Sequence, residues 1–251
     1  MSVVGDTRRP RRAAAMLCVV ALAAGWPAAR ACADEPSVTA MVRTGVATNY
    51  VWRGDPLFAP MLAPISLTIL QVGVSALGPG TLYAGYWNGT QLADGVTWPF
   101  PYAGYTVAMD LLAIDLQYGV FLHSHLQPVD QQHNFQIAMS YDVGPHLGWR
   151  DAHLRPRVMA STDPIRVLGS YAQLGCEALA SSGDVTVRVD VYAGLSAYRG
   201  LPFGAQDLSL ELSVTESLGE GFAGGLDLTV AHAFRAGTQR AAVGVFVMWS
   251  R

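Results

Sequence analysis

The chain has no lysine, and only 14% of its 251 residues are charged. All 16 basic residues are arginines, a bias expected of a GC-rich genome. Cysteine is as scarce: Cys18 and Cys32 lie near the start, and Cys176 stands alone in the rest. A lone thiol can make neither an intramolecular disulfide nor a cysteine metal cluster. No stretch after the first 33 residues approaches the ~20 unbroken apolar residues of a membrane-crossing helix. Glycine-rich phosphate loops, a Gly-x-Ser-x-Gly elbow and a His-x-Ser-Asn-Gly lipase pattern are all missing. Yet 51% of the chain is hydrophobic, so that apolar content must be used in some other way.

The start reads as an export signal. Arg8, Arg9, Arg11 and Arg12 precede an apolar run, residues 13–24, and Ala31-Cys32-Ala33 is a small-x-small cleavage site. A twin-arginine signal and a lipoprotein acylated at Cys32 are weaker rivals, the second opposed by Arg30. We therefore expect a signal peptide over 1–33 and a mature domain over 34–251. Cleavage takes five arginines and one aspartate, leaving 11 basic and 18 acidic residues and a net charge of −7. That balance does not suggest a nucleic-acid binder, which would show a basic face.

The mature part alternates. Leu208, Leu210, Leu212 and Val214 oppose Asp207, Ser209, Glu211, Ser213 and Thr215. Period two means a strand with one apolar and one polar face. Runs at 184–197, 225–234 and 240–249 repeat the pattern, although His232 falls on the apolar side. Each is about ten residues or longer, the length of a tilted strand crossing a bilayer. Further strands are expected at 37–53, 65–76 (with a bulge at Ile69-Leu70), 81–88, 102–108, 112–123, 133–141, 154–161 and 166–179, while 142–153 has no clear assignment. The fold class is thus all-β: an antiparallel transmembrane barrel of about 12 strands in an up-and-down meander. A soluble sandwich would alternate too, but nearly every residue of the second face is charged or hydroxylic, and the export signal favours the outer membrane. With the N-terminus in the periplasm, the long loops at 54–64, 89–101, 124–132 and 198–205 all fall outside. Aromatics at strand ends (Tyr50, Trp52, Trp98, Phe100, Tyr102, Tyr141, Phe234 and Trp249) fit interfacial girdles.

Two motifs resemble a known family. Thr48-Asn49-Tyr50-Val51-Trp52-Arg53-Gly54 is similar to the Ser/Thr-x-Tyr-Val-aromatic-Arg-Gly opening of the TorF-type family of outer-membrane porins. Gly80-Thr-Leu-Tyr83-Ala-Gly85-Tyr-Trp87 resembles that family's Gly-x-Tyr-x-Gly-x-Trp strand. The resemblance covers about residues 41–90 and implies a porin-like barrel, without a substrate or catalytic residues. The C-terminal run ending in Trp249-Ser250-Arg251 resembles the strand read by the barrel assembly machinery, although there the aromatic is usually last.

The inner face is expected to carry Arg43, Arg53, Asp115, Arg188, Asp190, Asp207, Glu211, Asp227 and Arg240, with Arg155, Arg157 and Glu177 beside them. Such charges can pair and fill the barrel, or line a narrow water path. Arg53, at the outer mouth with its guanidinium turned inward, either pairs structurally or meets lipopolysaccharide or a solute. Expected partners are outer-membrane lipids and lipopolysaccharide, the assembly machinery, and small solutes; no metal, cofactor or catalytic residue is expected. The favoured function is a narrow channel for small hydrophilic solutes or ions. The alternatives are a closed adhesive barrel acting through 54–64 and 89–101, and a lipid-modifying enzyme at His123-Ser124-His125, where neighbouring residues of a strand point apart.

Overall fold

The alternation closes into a barrel. The computed structural model describes residues 37–53, 55–56, 64–77, 80–122, 132–163, 169–198 and 203–251. Its strands are β1 (Val38–Ala47), β2 (Val51–Trp52), β3 (Asp55–Pro56), β4 (Ile65–Leu77), β5 (Gly80–Gln91), β6 (Thr97–Met109), β7 (Leu112–Phe121), β8 (Gln132–Tyr141), β9 (Ala152–Thr162), β10 (Gly169–Ser182), β11 (Val185–Tyr198), β12 (Gly204–Gly219), β13 (Phe222–Ala233) and β14 (Thr238–Ser250). β2 and β3 form a separate hairpin; the other twelve form one closed antiparallel sheet with each strand beside its chain neighbours. Closure comes from β14 returning to β1, from Met41↔Ser250 to Ala47↔Gly244. A closed ladder leaves no row of unpaired N–H and C=O groups, which is what a wall without water at its back requires.

The two faces are sorted opposite to those of a water-soluble protein. Leu226 is 56% exposed and Val243 50% exposed, whereas Asp207 is wholly buried and Asp115 is 3% exposed. Each buried apolar Å² is worth about 25 cal/mol, so an outer face of Val72, Leu82, Leu210, Leu226 and Val243 calls for hydrocarbon around it. Cys176 lies on this outer face as a free thiol, level with Pro156 and Val191. His232 also lies there, edge-on to Phe234 with ring centroids 4.9 Å apart.

Several boundaries depart from the sequence reading, each for a physical reason. The strand expected over 37–53 leaves the wall at Ala47. The expected loop 89–101 shrinks to 92–96, because β5 and β6 stay paired through Asn88↔Pro99 and Gly89↔Trp98. Pro99 and Pro101 lack N–H groups, and the β6–β7 ladder accordingly starts only at Tyr102↔Gly119; beyond it the Leu122 N–H donates to the Pro99 carbonyl at 2.8 Å. Pro156 acts likewise on β9, where the ladder to β8 stops at Ser140↔Arg157. No bulge exists at Ile69-Leu70: register with β1 is unbroken from Ile65 to Val74, and the irregularity lies between Val74 and Leu77. Leu67 and Ile69 face inward because they pack on Trp87, Phe100 and Phe121. The girdle also needs correcting. Tyr50, Trp98, Phe100 and Tyr102 belong to that inner cluster, while Tyr141 and Phe234 face outward with Tyr86, Tyr118, Phe135 and Phe222. Trp249 shares the outer parity, level with Val42 and Phe222.

One end of the barrel has tight links. Asp110 (φ 53°), Glu220 (φ 51°) and Gly221 (φ 85°) take the left-handed conformations that two-residue hairpins need. The exception at this end is 142–151, which holds a 3-10 turn, Gly144–Leu147. The other end carries the inserted hairpin and the longer connections.

Leu210 sits mid-strand on the outer face, level with Val191 and Val230. Leu210→Arg is expected to cost about 2–4 kcal/mol if this face meets lipid hydrocarbon. Equilibrium denaturation of the protein in lipid vesicles measures it; an unchanged midpoint would mean that the face does not meet lipid.

Candidate functional site

After Ala47 the chain turns into the barrel interior. Asn49 and Val51 are buried, and Val51 packs on Ala231 and Ala242 of β13 and β14. Tyr50 lies on Trp87, ring centroids 5.0 Å apart. At the tip of the β2–β3 hairpin, Arg53 takes φ 52° and reaches the far wall. Its Nη2 donates to Asn134 Oδ1 of β8 at 3.1 Å and to Ser161 Oγ of β9. Its guanidinium lies 4.4 Å over the Tyr171 ring of β10, and its carbonyl accepts from Gln206 Nε2 at 3.4 Å. In a ring of twelve, β9 is diametrically opposite β1. The chain from 48 to 53 is therefore an arm across the lumen, not a continuation of the wall. Asn134, Ser161, Tyr171 and Gln206 each lie within three residues of the long-loop end of their strand, so Arg53 stands at that mouth with its guanidinium turned inward.

Gln206 holds the arm because of a bulge. The β11–β12 register passes from Gly194↔Asp207 to Leu195↔Ala205, leaving Gln206 extra. A bulge re-aims a side chain. Gln206, which strict alternation would send outward, is buried, donates to Arg53 and accepts from Ser196 Oγ at 2.8 Å. Period-two reading of the sequence could not find it. Asn134 and Ser161 are buried polar residues of the inner face, and neither belongs to the lining set expected from the sequence.

The charged residues form a belt on one side of the interior. Glu177, Asp190 and Glu211 stand level on β10, β11 and β12. Like charges side by side repel, so cations flank the row. Arg155 Nη1 is 2.9 Å from Glu177, and its Nε is 3.6 Å from Asp142, which also meets His153 Nδ1 at 2.5 Å. Arg157 lies within electrostatic reach of Asp190, Glu177 and Glu211. Arg188 Nε is 2.9 Å from Asp190 Oδ2. Further round the wall Arg43 pairs with Asp227, its guanidinium 3.7 Å over the Phe246 ring. Arg240 lies on the inner parity of β14, level with Ala231.

Two other acids of the expected set are walled in by hydroxyls. Asp115 accepts from Tyr83 Oη at 2.9 Å and Thr106 Oγ1 at 2.6 Å. Asp207 accepts from Tyr171 Oη at 3.1 Å and Ser209 Oγ at 2.9 Å. Both tyrosines reach an acceptor two strands away, and each crosses a glycine. A Cβ on Gly104 would stand 2.3 Å from the Tyr83 ring, and one on Gly194 would stand 2.4 Å from Tyr171 Oη. Tyr102 repeats the device, crossing Gly85 to give Gln71 Oε1 a hydrogen bond at 2.9 Å. The run Tyr83-Ala-Gly85-Tyr-Trp87 is thereby explained: its inner-facing positions supply a reaching tyrosine, room for another, and the ring beneath Tyr50.

Open space remains beside the belt. A cavity of about 220 Å³ lies between the arm (Asn49, Tyr50, Val51) and the wall of β11–β14 and β1. It exists because the inner residues at the closing seam are small: Gly45, Ala47, Ala242 and Gly244. A smaller hollow of about 20 Å³ continues toward the tight-link end, between Thr186, Thr215 and Met248. Arg43, Arg188, Ser213 and Phe246 line both, so these residues are the partition between them. Residues 123–125 lie outside the described part, and no cluster of metal-binding side chains occurs among the described residues.

No protein-family model matches the sequence, and no curated protein matches it. Solved structures do. The NanC porin superimposes with a TM-score of 0.53 at 9% identity, covering 84% of this chain and 98% of that one. The KdgM porin gives 0.50 at 9%, with the same coverages, and LpxR from Salmonella typhimurium 0.51 at 10%, covering 85% and 99%. The likeness is one of fold. It sets this closed twelve-stranded sheet among outer-membrane barrels, porins and LpxR alike.

Tyr83→Phe removes a donor from buried Asp115 and keeps the ring over Gly104. Its expected cost is about 1–3 kcal/mol, read as a lower denaturation midpoint. An unperturbed midpoint would mean that the hydroxyl carries no net stabilisation.

Proposed function

We propose that this chain is a narrow porin-like channel of the bacterial outer membrane, passing small hydrophilic solutes or ions passively. The observation that carries the proposal is the pair of hollows aligned along the β11–β1 side, separated only by Arg43, Arg188 and their neighbours. An interior needed only for packing would be filled on both sides. Here the β4–β7 side is filled by Trp87, Phe100 and Phe121, and the side opposite is not. In this reading the apolar outer face meets outer-membrane lipid and lipopolysaccharide, and the long-loop end faces outward. The TorF-type resemblance of residues 48–54 and 80–87 supports the same reading, since the first motif is the constricting arm.

A closed barrel is the second reading, favoured by the four-strand grip on Arg53. Planar-bilayer recording separates the two. We expect small unitary current steps from the native protein and larger ones from Arg53→Ala, whose arm loses its hold on the far wall. Silence from both proteins would establish the closed barrel. Equal steps from both would clear the arm of any part in the constriction.

A further inference from the structure

We infer that the 220 Å³ cavity is a binding site for one neutral, pyranose-sized polyol, the solute class that the channel handles. The inference rests on the channel reading for the solute's access, but its chemistry is carried by the lining alone. The cavity is two-faced. One side is apolar and aromatic: Tyr50 and Trp87, in mutual contact, with Leu67 and Ile69. The other is polar: Ser213, Thr229, Glu211, Asp227, Arg43 and Arg188. A ligand that fits must show a carbon-hydrogen face to the rings and polar groups along its edge.

Charge selects against ions. The lining holds two guanidinium groups and two carboxylates, and each is already engaged: Arg43 with Asp227, Arg188 with Asp190, and Glu211 with Tyr192 Oη at 2.7 Å. Arg43 is offset by Asp227, and Arg188 lies within electrostatic reach of both Asp190 and Glu211, so the wall presents little net charge to draw an ion in. The guanidinium groups nevertheless have five N–H donors apiece, and the carboxylates have spare lone pairs. Donors and acceptors thus stand side by side along one wall. The hydroxyl group, which gives and takes at once, uses such a wall without disturbing the ion pairs. Volume sets the size: 220 Å³ is below the ~300 Å³ where pockets for drug-sized ligands begin, so the cavity suits one ring.

The test is calorimetric titration of the detergent-refolded chain with methyl glucoside, glucuronate and phenylalanine, run beside bilayer recording on the same preparation. Methyl glucoside is expected to bind, and the other two are not. Ser213→Ala with Thr229→Val, checked for folding by heat-modifiable migration, is expected to weaken binding roughly tenfold or more, the loss of one good hydrogen bond. Unchanged affinity in that folded variant overturns the site. Binding of glucuronate or phenylalanine in place of the glucoside overturns the ligand class. Current steps without glucoside binding overturn the inference and leave the channel standing. Glucoside binding without current keeps the site and removes the channel.

Discussion

The ladder between β14 and β1 is the constraint on which the rest depends. A sheet with apolar side chains outside and polar ones inside has no second layer to cover its edges, so it must find its last partner in its first strand. Seven residue pairs from Met41 to Ala47 make that closure. The same seam carries small inner residues, Gly45, Ala47, Ala242 and Gly244, which let the strands lie bare against the lumen and leave the space that becomes the cavity. Directly past the seam the chain turns inward, so the closure and the constriction are consecutive stretches of one segment.

What fills the interior is divided by chemistry. On the β4–β7 side Phe100 stacks on Phe121 at 4.2 Å, and Trp87 meets Tyr50 of the arm at a tilt. On the β9–β13 side a row of three carboxylates is held between arginines. The arm runs between the two halves and is gripped at its tip by polar groups from β8, β9 and β12 and by the Tyr171 ring. Neutral overall pairing in the charged half leaves its hydrogen-bonding capacity, rather than its net charge, as what a passing molecule meets.

Most of the wall was legible in the sequence because period two survives wherever strands pair regularly. The alternation of Leu208 to Thr215 and of Leu112 to Leu122 reads directly as out and in. It fails where the backbone breaks that period. Gln206 sits in a bulge, so its parity misled. Tyr50 and Trp52 continued the apolar alternation of β1, and nothing local marked Ala47 as the point of departure from the wall. Pro99 and Pro101 read as loop residues, yet they occupy paired positions opposite Asn88 and Tyr86 and give up only the bonds on their other side. The contacts of Arg53 join it to residues up to 153 positions away, a distance over which a single sequence gives no pairing information.

The tyrosines that cross glycines change what kind of object the barrel is. Ladder bonds tie each strand only to the next, and such a sheet could peel hairpin by hairpin. Tyr83 to Asp115, Tyr102 to Gln71 and Tyr171 to Asp207 each span three strands. They work as partial hoops around a cask: within β4–β7 and β10–β12 no stave can come away without loosening the two beside it, and these two arcs of the wall are expected to let go cooperatively rather than fray.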